Sequence, residues 1–271
     1  MVLGCVLLAF FAQTIPAPRA PYYTAESFVS AASNAAGPVS PHSIASLYGE
    51  NLAWVTRAIR PEDLRGNQMP TVLPGSGVRV IIGGLLAGIY YASPSQVNLL
   101  VPNELLPGRH TLEVVRDGVA GPRVTVTLAA EAPELFQTQP GNWAVATRAD
   151  GSPVTPQSPA SPGDTLILYA TGLGRTVPDS HSGQIAAGAA SLARRREFNL
   201  WLNDLFVDAV HYVGLTPGFA GLYQINVTLP RETPPNPEIR LGFAGRPMSR
   251  LGVRLAVKEP APAEAGGDHG A

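Results

Sequence analysis

Asp179-Ser180-His181-Ser182 sets an acid, a hydroxyl and an imidazole side by side, the residue types of a nucleophilic triad. A triad converges through the fold from distant parts of a chain, and four consecutive residues do not wrap around one reacting atom. The run therefore reads as a solvated loop. A GxSxG elbow is absent, and Thr171-Gly172-Leu173-Gly174-Arg175 lacks the rest of any phosphate-binding fingerprint. The five histidines, His42, His110, His181, His211 and His269, show neither HxH nor HExxH spacing, and no acidic ladder suggests a calcium loop. A glycosidase holds two carboxyl groups roughly 5–10 Å apart across a cleft, and no pair among the 20 Asp and Glu is nominated by its spacing. Asp150, Asp164 and Asp204 fit turns or caps. Cys5 is the single cysteine. The sequence thus nominates no catalytic residue, no metal ligand and no cofactor.

Binding chemistry is better represented. Exposed indole and phenol rings offer flat apolar area at little entropic cost. With Phe198, Leu200 and Leu202 facing a core, Trp201 faces outward between Asn199 and Asn203. Ile81 takes the same outward place earlier in the chain. Trp54 stands in the long loop 52–77 and reads as a lid on one end of the fold, while Trp143 reads as packing near a junction. Trp201, Ile81 and Trp54 are the candidate ligand-binding residues. Arg194-Arg195-Arg196 is a lone basic run in a chain of net charge −1, which fits a solvated loop end better than nucleic-acid binding.

The elements that position these residues follow from a repeat. Residues 40–52, SPHSIASLYGENL, match residues 161–173, SPGDTLILYATGL, at an offset of 121. After an insertion near 215–220 the offset is 128, so Gln96-Val97-Asn98 and Pro102 meet Gln224-Ile225-Asn226 and Pro230. His211 falls where Tyr90 stands. Tyr48 and Tyr169 recur, which suggests a core or corner role. Short runs rich in Val, Ile, Leu and Tyr predict strands over 43–48, 78–82, 86–91, 96–101, 110–115 and 123–128. The second copy predicts 165–169, 198–202, 206–212, 223–229, 239–243 and 251–257. Asp117-Gly118 reads as a hairpin turn. Only 185–195 has a helical cast, as one short helix. Gly and Pro make up a fifth of the chain and charged residues 14%, which disfavours a coiled coil or helical bundle.

At the ends, residues 2–12 form an apolar run too short for the ~20 residues of a bilayer span and suited to a secretory leader ending near Ala20. A mature chain without Cys5 excludes disulfides and thiolate chemistry. The Pro-, Ala- and Gly-rich stretch 258–271 reads as a disordered tail.

The segments NAAGPVSPHSI, LYGENL, IYYASPSQVN, APELF, SPGD, LYATGLG and GLYQINV resemble a duplicated C-terminal module of uncharacterised secreted and surface proteins of acidobacteria. Each half also resembles the IPT/TIG immunoglobulin-like domain. The resemblance spans residues 25 to 257, implies an extracellular pair of Ig-like sandwiches, and carries no catalytic residues. The reading is an all-β chain: leader 1–20, tandem Ig-like β-sandwich repeats at 25–131 and 141–257, and tail 258–271, with the copies packed through the segment 130–142 by Leu135 and Phe136. The expected role is non-catalytic, secreted or at the cell surface, structural or adhesive. The expected partner is an extracellular protein or polysaccharide, with no nucleic acid and no membrane span in the mature chain. Two alternatives are a carbohydrate-binding module centred on exposed aromatics and an extracellular hydrolase.

Overall fold

The computed structural model describes residues 19–246 and 248–259. The expected leader lies almost wholly outside the described residues, as does the tail from residue 260. At the boundaries Arg19 already belongs to the fold, its carbonyl accepting from Arg116 Nη2 at 2.6 Å, and Lys258 N–H still bonds Ala160 O at 2.8 Å.

The chain is all-β. In the first half β1 (Phe28–Ser30), β2 (Ile44–Tyr48), β3 (Val78–Ile82), β4 (Leu85–Leu86), β5 (Gly88–Ala92), β6 (Gln96–Leu100), β7 (Gly108–Arg116) and β8 (Val124–Leu128) form two antiparallel sheets. Their orders are β1-β2-β6-β5 and β8-β7-β3-β4, with the short Arg57–Ala58 strand beyond β5. Lettered along the chain, this is A-B-E-D against G-F-C-C′, the immunoglobulin arrangement. Period-2 alternation supplies the core. Val78, Val80 and Ile82 of β3, Ala45 and Leu47 of β2, and Val97 and Leu99 of β6 are fully buried in one cluster that spans residues 23–128. Burying the Val, Leu and Ile side chains among them stabilises by ~1.5–3 kcal/mol each.

The second half repeats the order. Strands β9 (Ala146–Arg148), β10 (Thr165–Thr171), β11 (Phe198–Leu202), β12 (Leu205–Phe206), β13 (Val210–Leu215), β14 (Tyr223–Thr228) and β15 (Ile239–Phe243) give β9-β10-β14-β13 and β12-β11-β15. Their inward residues form a separate cluster spanning residues 135–257. The register is the one the sequence offsets imply. Tyr48 pairs with Gln96 and Ser46 with Asn98; Tyr169 pairs with Gln224 and Ile167 with Asn226. Both halves carry the same β-bulge. Pairing jumps from Ile89 to Tyr91 against β6 and from Val210 to Tyr212 against β14, so Tyr90 and His211 are the equivalent skipped residues. The parallel bridge Val39–Leu128 likewise has its counterpart in Ala160–Val257.

Several expectations are corrected. Residues 185–195 form no α-helix: Ala190–Leu192 pairs with β13, and burial of Ala190 and Leu192 overrides the helical leaning of the run. Residues 251–257 make only isolated bridges. Tyr48 and Tyr169 face outward, Tyr48 donating to Asn34 Oδ1 at 2.9 Å. Leu135 does not join the halves. It pairs with Ala170 and is buried in the second core. No helix among the described residues is long and apolar enough to cross a membrane.

Candidate functional site

The most distinctive exposed surface is the β-hairpin that follows the third strand of each half. In the second half Leu200 and Leu202 point inward, which leaves Trp201 half-buried on the outer face. The tight turn Asn203-Asp204 returns the chain so that Phe206 lies directly opposite Trp201, their rings edge-to-face at 5.1 Å. Phe206 is 44% exposed. On the other side Trp201 pairs with Arg240, whose guanidinium reaches Ser249 O at 3.3 Å. In the first half Ile81 holds the same place, opposite Leu86 on one side and Glu113 on the other. Leu85 and Leu86 are 38% and 44% exposed. Ile81 and Trp201 are thus structurally equivalent, each beside an exposed apolar hairpin residue.

Trp54 lies elsewhere. Its backbone N–H donates to Ser76 O, its indole N–H donates to Asp117 Oδ2 at 2.7 Å, and the Arg116 guanidinium covers one ring face at 3.6 Å. Asp117 N–H in turn bonds Gly77 O, which places Trp54 at the opposite end of β3 from Ile81. Trp54 is 48% exposed, but its indole donor and one ring face are already occupied. Trp143 packs on the second core with the Arg254 guanidinium 4.4 Å from its ring.

The Asp179–Ser182 run is not a free loop. It grips the first half. Ser182 Oγ accepts from Asn103 N–H at 2.8 Å, Ser182 O accepts from Gln68 Nε2 at 2.6 Å, and Ser182 N–H donates to Glu104 Oε1 at 2.9 Å. Asp179 accepts from Asn103 Nδ2 at 3.1 Å and pairs with Arg175. The carboxyl is held below the usual range: these donors outweigh the opposing effect of its burial. The contact continues through Met69 N–H to Gly183 O and Ile185 N–H to Asn67 O. Met69, Leu100 and Ala220 form a third, small apolar cluster. The bulged Tyr90 crosses the seam. Its hydroxyl donates to Ala220 O at 2.5 Å and accepts from Ala220 N–H at 3.0 Å. Its phenol is pushed up to about 12 by burial. His211, its counterpart, instead bonds Thr228 Oγ1 within its own half. Tyr90→Phe is expected to cost about 1–3 kcal/mol in the urea unfolding free energy, since it leaves both polar groups of Ala220 unpaired at a buried contact.

A cleft of about 420 Å³ beside the 129–134 segment contains Glu131, Glu134, Arg246 and Arg250. Two carboxylates in a cleft suit hydrolysis only if one can deliver a proton. Glu131 is engaged by Arg194 at 2.8 Å and Arg246 at 3.1 Å, and burial lifts the Glu134 carboxyl while Arg250 opposes that rise. Among the described residues no group of three or more His, Cys, Asp or Glu is placed to hold a metal ion. Of the basic run, Arg194 is spent on Glu131 and Glu197, and Arg195 on the carbonyls of Val210 and His211.

The fold and these surfaces define an all-β protein of immunoglobulin topology with apolar hairpin faces. No family model and no curated protein matches the sequence. Among solved structures the chain is similar to the Bacteroides ovatus mixed-linkage glucan utilization locus SGBP-B in complex with a mixed-linkage heptasaccharide, at 12% identity and TM-score 0.33, over 82% of this chain and 42% of that one. It is similar to the Escherichia coli adhesin FdeC at 12% identity and TM-score 0.25, over 89% and 66%. A third likeness is to the tandem Ig repeats of Dlar, at 16% identity and TM-score 0.19, over 82% and 93%. The chain spans less than half the length of the first of these.

Proposed function

We propose that this chain is a non-catalytic extracellular module of two tandem Ig-like domains, one at 25–131 and one at 141–257, that attaches to a protein or a polysaccharide outside the cell. The observation that carries the reading is the matched hairpin face. Ile81 with Leu85 and Leu86, and Trp201 with Phe206, present apolar area to solvent at equivalent places in both halves. Apolar surface left exposed twice by the same device serves contact with something else. Neither face needs a titratable cluster to bind. Secretion through the leader and kinship with the acidobacterial IPT/TIG-like module belong to the same proposal.

Trp201 and Phe206 are the stronger pair, because aromatic rings carry more area with fewer rotors than Ile81 and Leu86. Trp54 is the weaker candidate, given its bond to Asp117 and the Arg116 cover. The test is a glycan array together with capture from the native cell envelope, both run with residues 19–271. Trp201→Ala is expected to weaken whichever ligand is found by on the order of thirtyfold, as hot-spot truncations do. Unchanged retention by both Trp201→Ala and Leu86→Ser would sink the hairpin reading. Glycan binding lost in Trp201→Ala selects the polysaccharide partner over the protein.

A further inference from the structure

His42 stands at the seam between the halves and is 1% exposed. It precedes β2 in the left-handed backbone region, φ +61°, with its N–H bonded to Val101 O at 3.0 Å. Its carbonyl faces Gly221 of the second half, where a Cβ would stand 2.7 Å from it. Its ring meets the edge of the fully buried Tyr223 ring at 6.4 Å, and its Nε2 is buried without a hydrogen-bond partner. A proton on Nε2 so placed has no acceptor.

We propose that the seam is an acid-opened joint: protonation of His42 forces its ring toward water, and the contact between the halves loosens while each core stays folded. The charged groups that face the ring are Asp179, Glu104 and Arg175, and Tyr223 is its aromatic neighbour. Neither carboxylate is free to receive the imidazolium. Asp179 is taken by Arg175 and Asn103, and Glu104 by Ser182. The source of solvation left for Nε2 is water, which gains full access to that buried atom when the halves part. Burial, the largest influence on the ring, lowers its pKa to about 4, with the two carboxylates opposing and Arg175 adding to the fall. Once opened, the ring returns to an ordinary value near 6.5. The opening equilibrium should then rise about thirtyfold between pH 7.5 and pH 5, a range in which most carboxylates remain ionised.

The experiment is amide hydrogen exchange on the full chain at pH 7.5 and pH 5, with rates corrected for intrinsic exchange. The readout is the protection of the seam amides Ile44, which bonds Thr171 Oγ1, and Met69, Asn103, Ile185 and Ala220. These should lose about thirtyfold protection at pH 5, while amides within β6 and β14 keep theirs. His42→Asn, neutral and tolerant of positive φ, should abolish the loss. Unchanged seam protection in the wild type, or an equal loss in His42→Asn, overturns the proposal, the latter by assigning the effect to Asp179 and Glu104. The wild-type ring gives a test without substitution. If NMR finds His42 protonated near pH 6.5 while the seam amides stay protected, the joint is not driven by this group.

Discussion

Leu168→Ala is expected to lower the stability of the second half by about 3–4 kcal/mol and to move its thermal transition down by more than about 10 °C. Leu168 is fully buried on β10, opposite Ile225 of β14, at the centre of the 135–257 core. Truncation removes three carbons from a site walled by strands on both sheets. Such walls cannot collapse to fill the void, and this places the cost in the upper part of the range for leucine. Leu47→Ala at the equivalent position of β2 should impose a similar cost on the first half. The pair is informative because the seam links two clusters that share no member. The seam contributes a dozen hydrogen bonds, nearly all of its side-chain ones at exposed or part-buried positions where each adds at most about 1 kcal/mol net, and one small apolar cluster. Two separate cores joined by so polar a contact should unfold separately once one of them is weakened. Calorimetry of Leu168→Ala would then resolve two endotherms, with the upper one near the wild-type position. A single transition displaced as a whole would show that the halves fold as one unit and that tandem independent domains are the wrong description.

The sandwich was legible because its signals are local and periodic. Alternation in Val78-Arg79-Val80-Ile81-Ile82 and in Phe198-Asn199-Leu200-Trp201-Leu202 places alternate residues on opposite faces, and the structure buries those positions accordingly. Two copies of QxN followed by proline marked residues 96–98 and 224–226 as counterparts, and β6 and β14 indeed pair with β2 and β10 in the same register, where a one-residue slip would turn every buried side chain outward. The same alternation exposed Trp201 and Ile81 as counterparts. The seam was not legible. Gln68, Asn103, Glu104 and Ser182 are polar residues of irregular loops, and their partners stand 70 or more positions away. No periodicity marks such pairs. For the same reason Asp179–Ser182 read as solvated, and Leu135, next to a proline-rich stretch, read as a bridge when it is a core residue of one half. His42 gave no sign either. Its importance comes from a neighbour, Tyr223, contributed by the other half.

Global stability should fall by about 3 kcal/mol between pH 6.5 and pH 4 on account of His42 alone. The sign follows from proton counts. Burial depresses the folded-state pKa to about 4, whereas the unfolded ring titrates near 6.5. Between those values the unfolded chain binds a proton that the folded chain refuses, so the unfolding free energy rises with pH across the window. The stability is complete above pH 6.5, is lost as the pH falls, and loses nothing more from this group below pH 4. Two and a half pKa units at 1.36 kcal/mol each give the magnitude. Depressed carboxylates such as Asp179 and Glu197 act in the same direction, but only once the pH drops below the unfolded carboxylate range near 4. Glu134, raised by burial, acts in the opposite direction. Glu134 acts above the unfolded carboxylate range, so it is the comparison with His42→Asn, which leaves Glu134 in place, that isolates the histidine between pH 6.5 and 5. Urea unfolding at half-unit steps should give a slope approaching one proton per molecule in the wild type and a nearly flat line in His42→Asn. A wild-type profile that is flat over that interval would mean that the ring is already solvated in the native state, and that the seam around it is open at neutral pH.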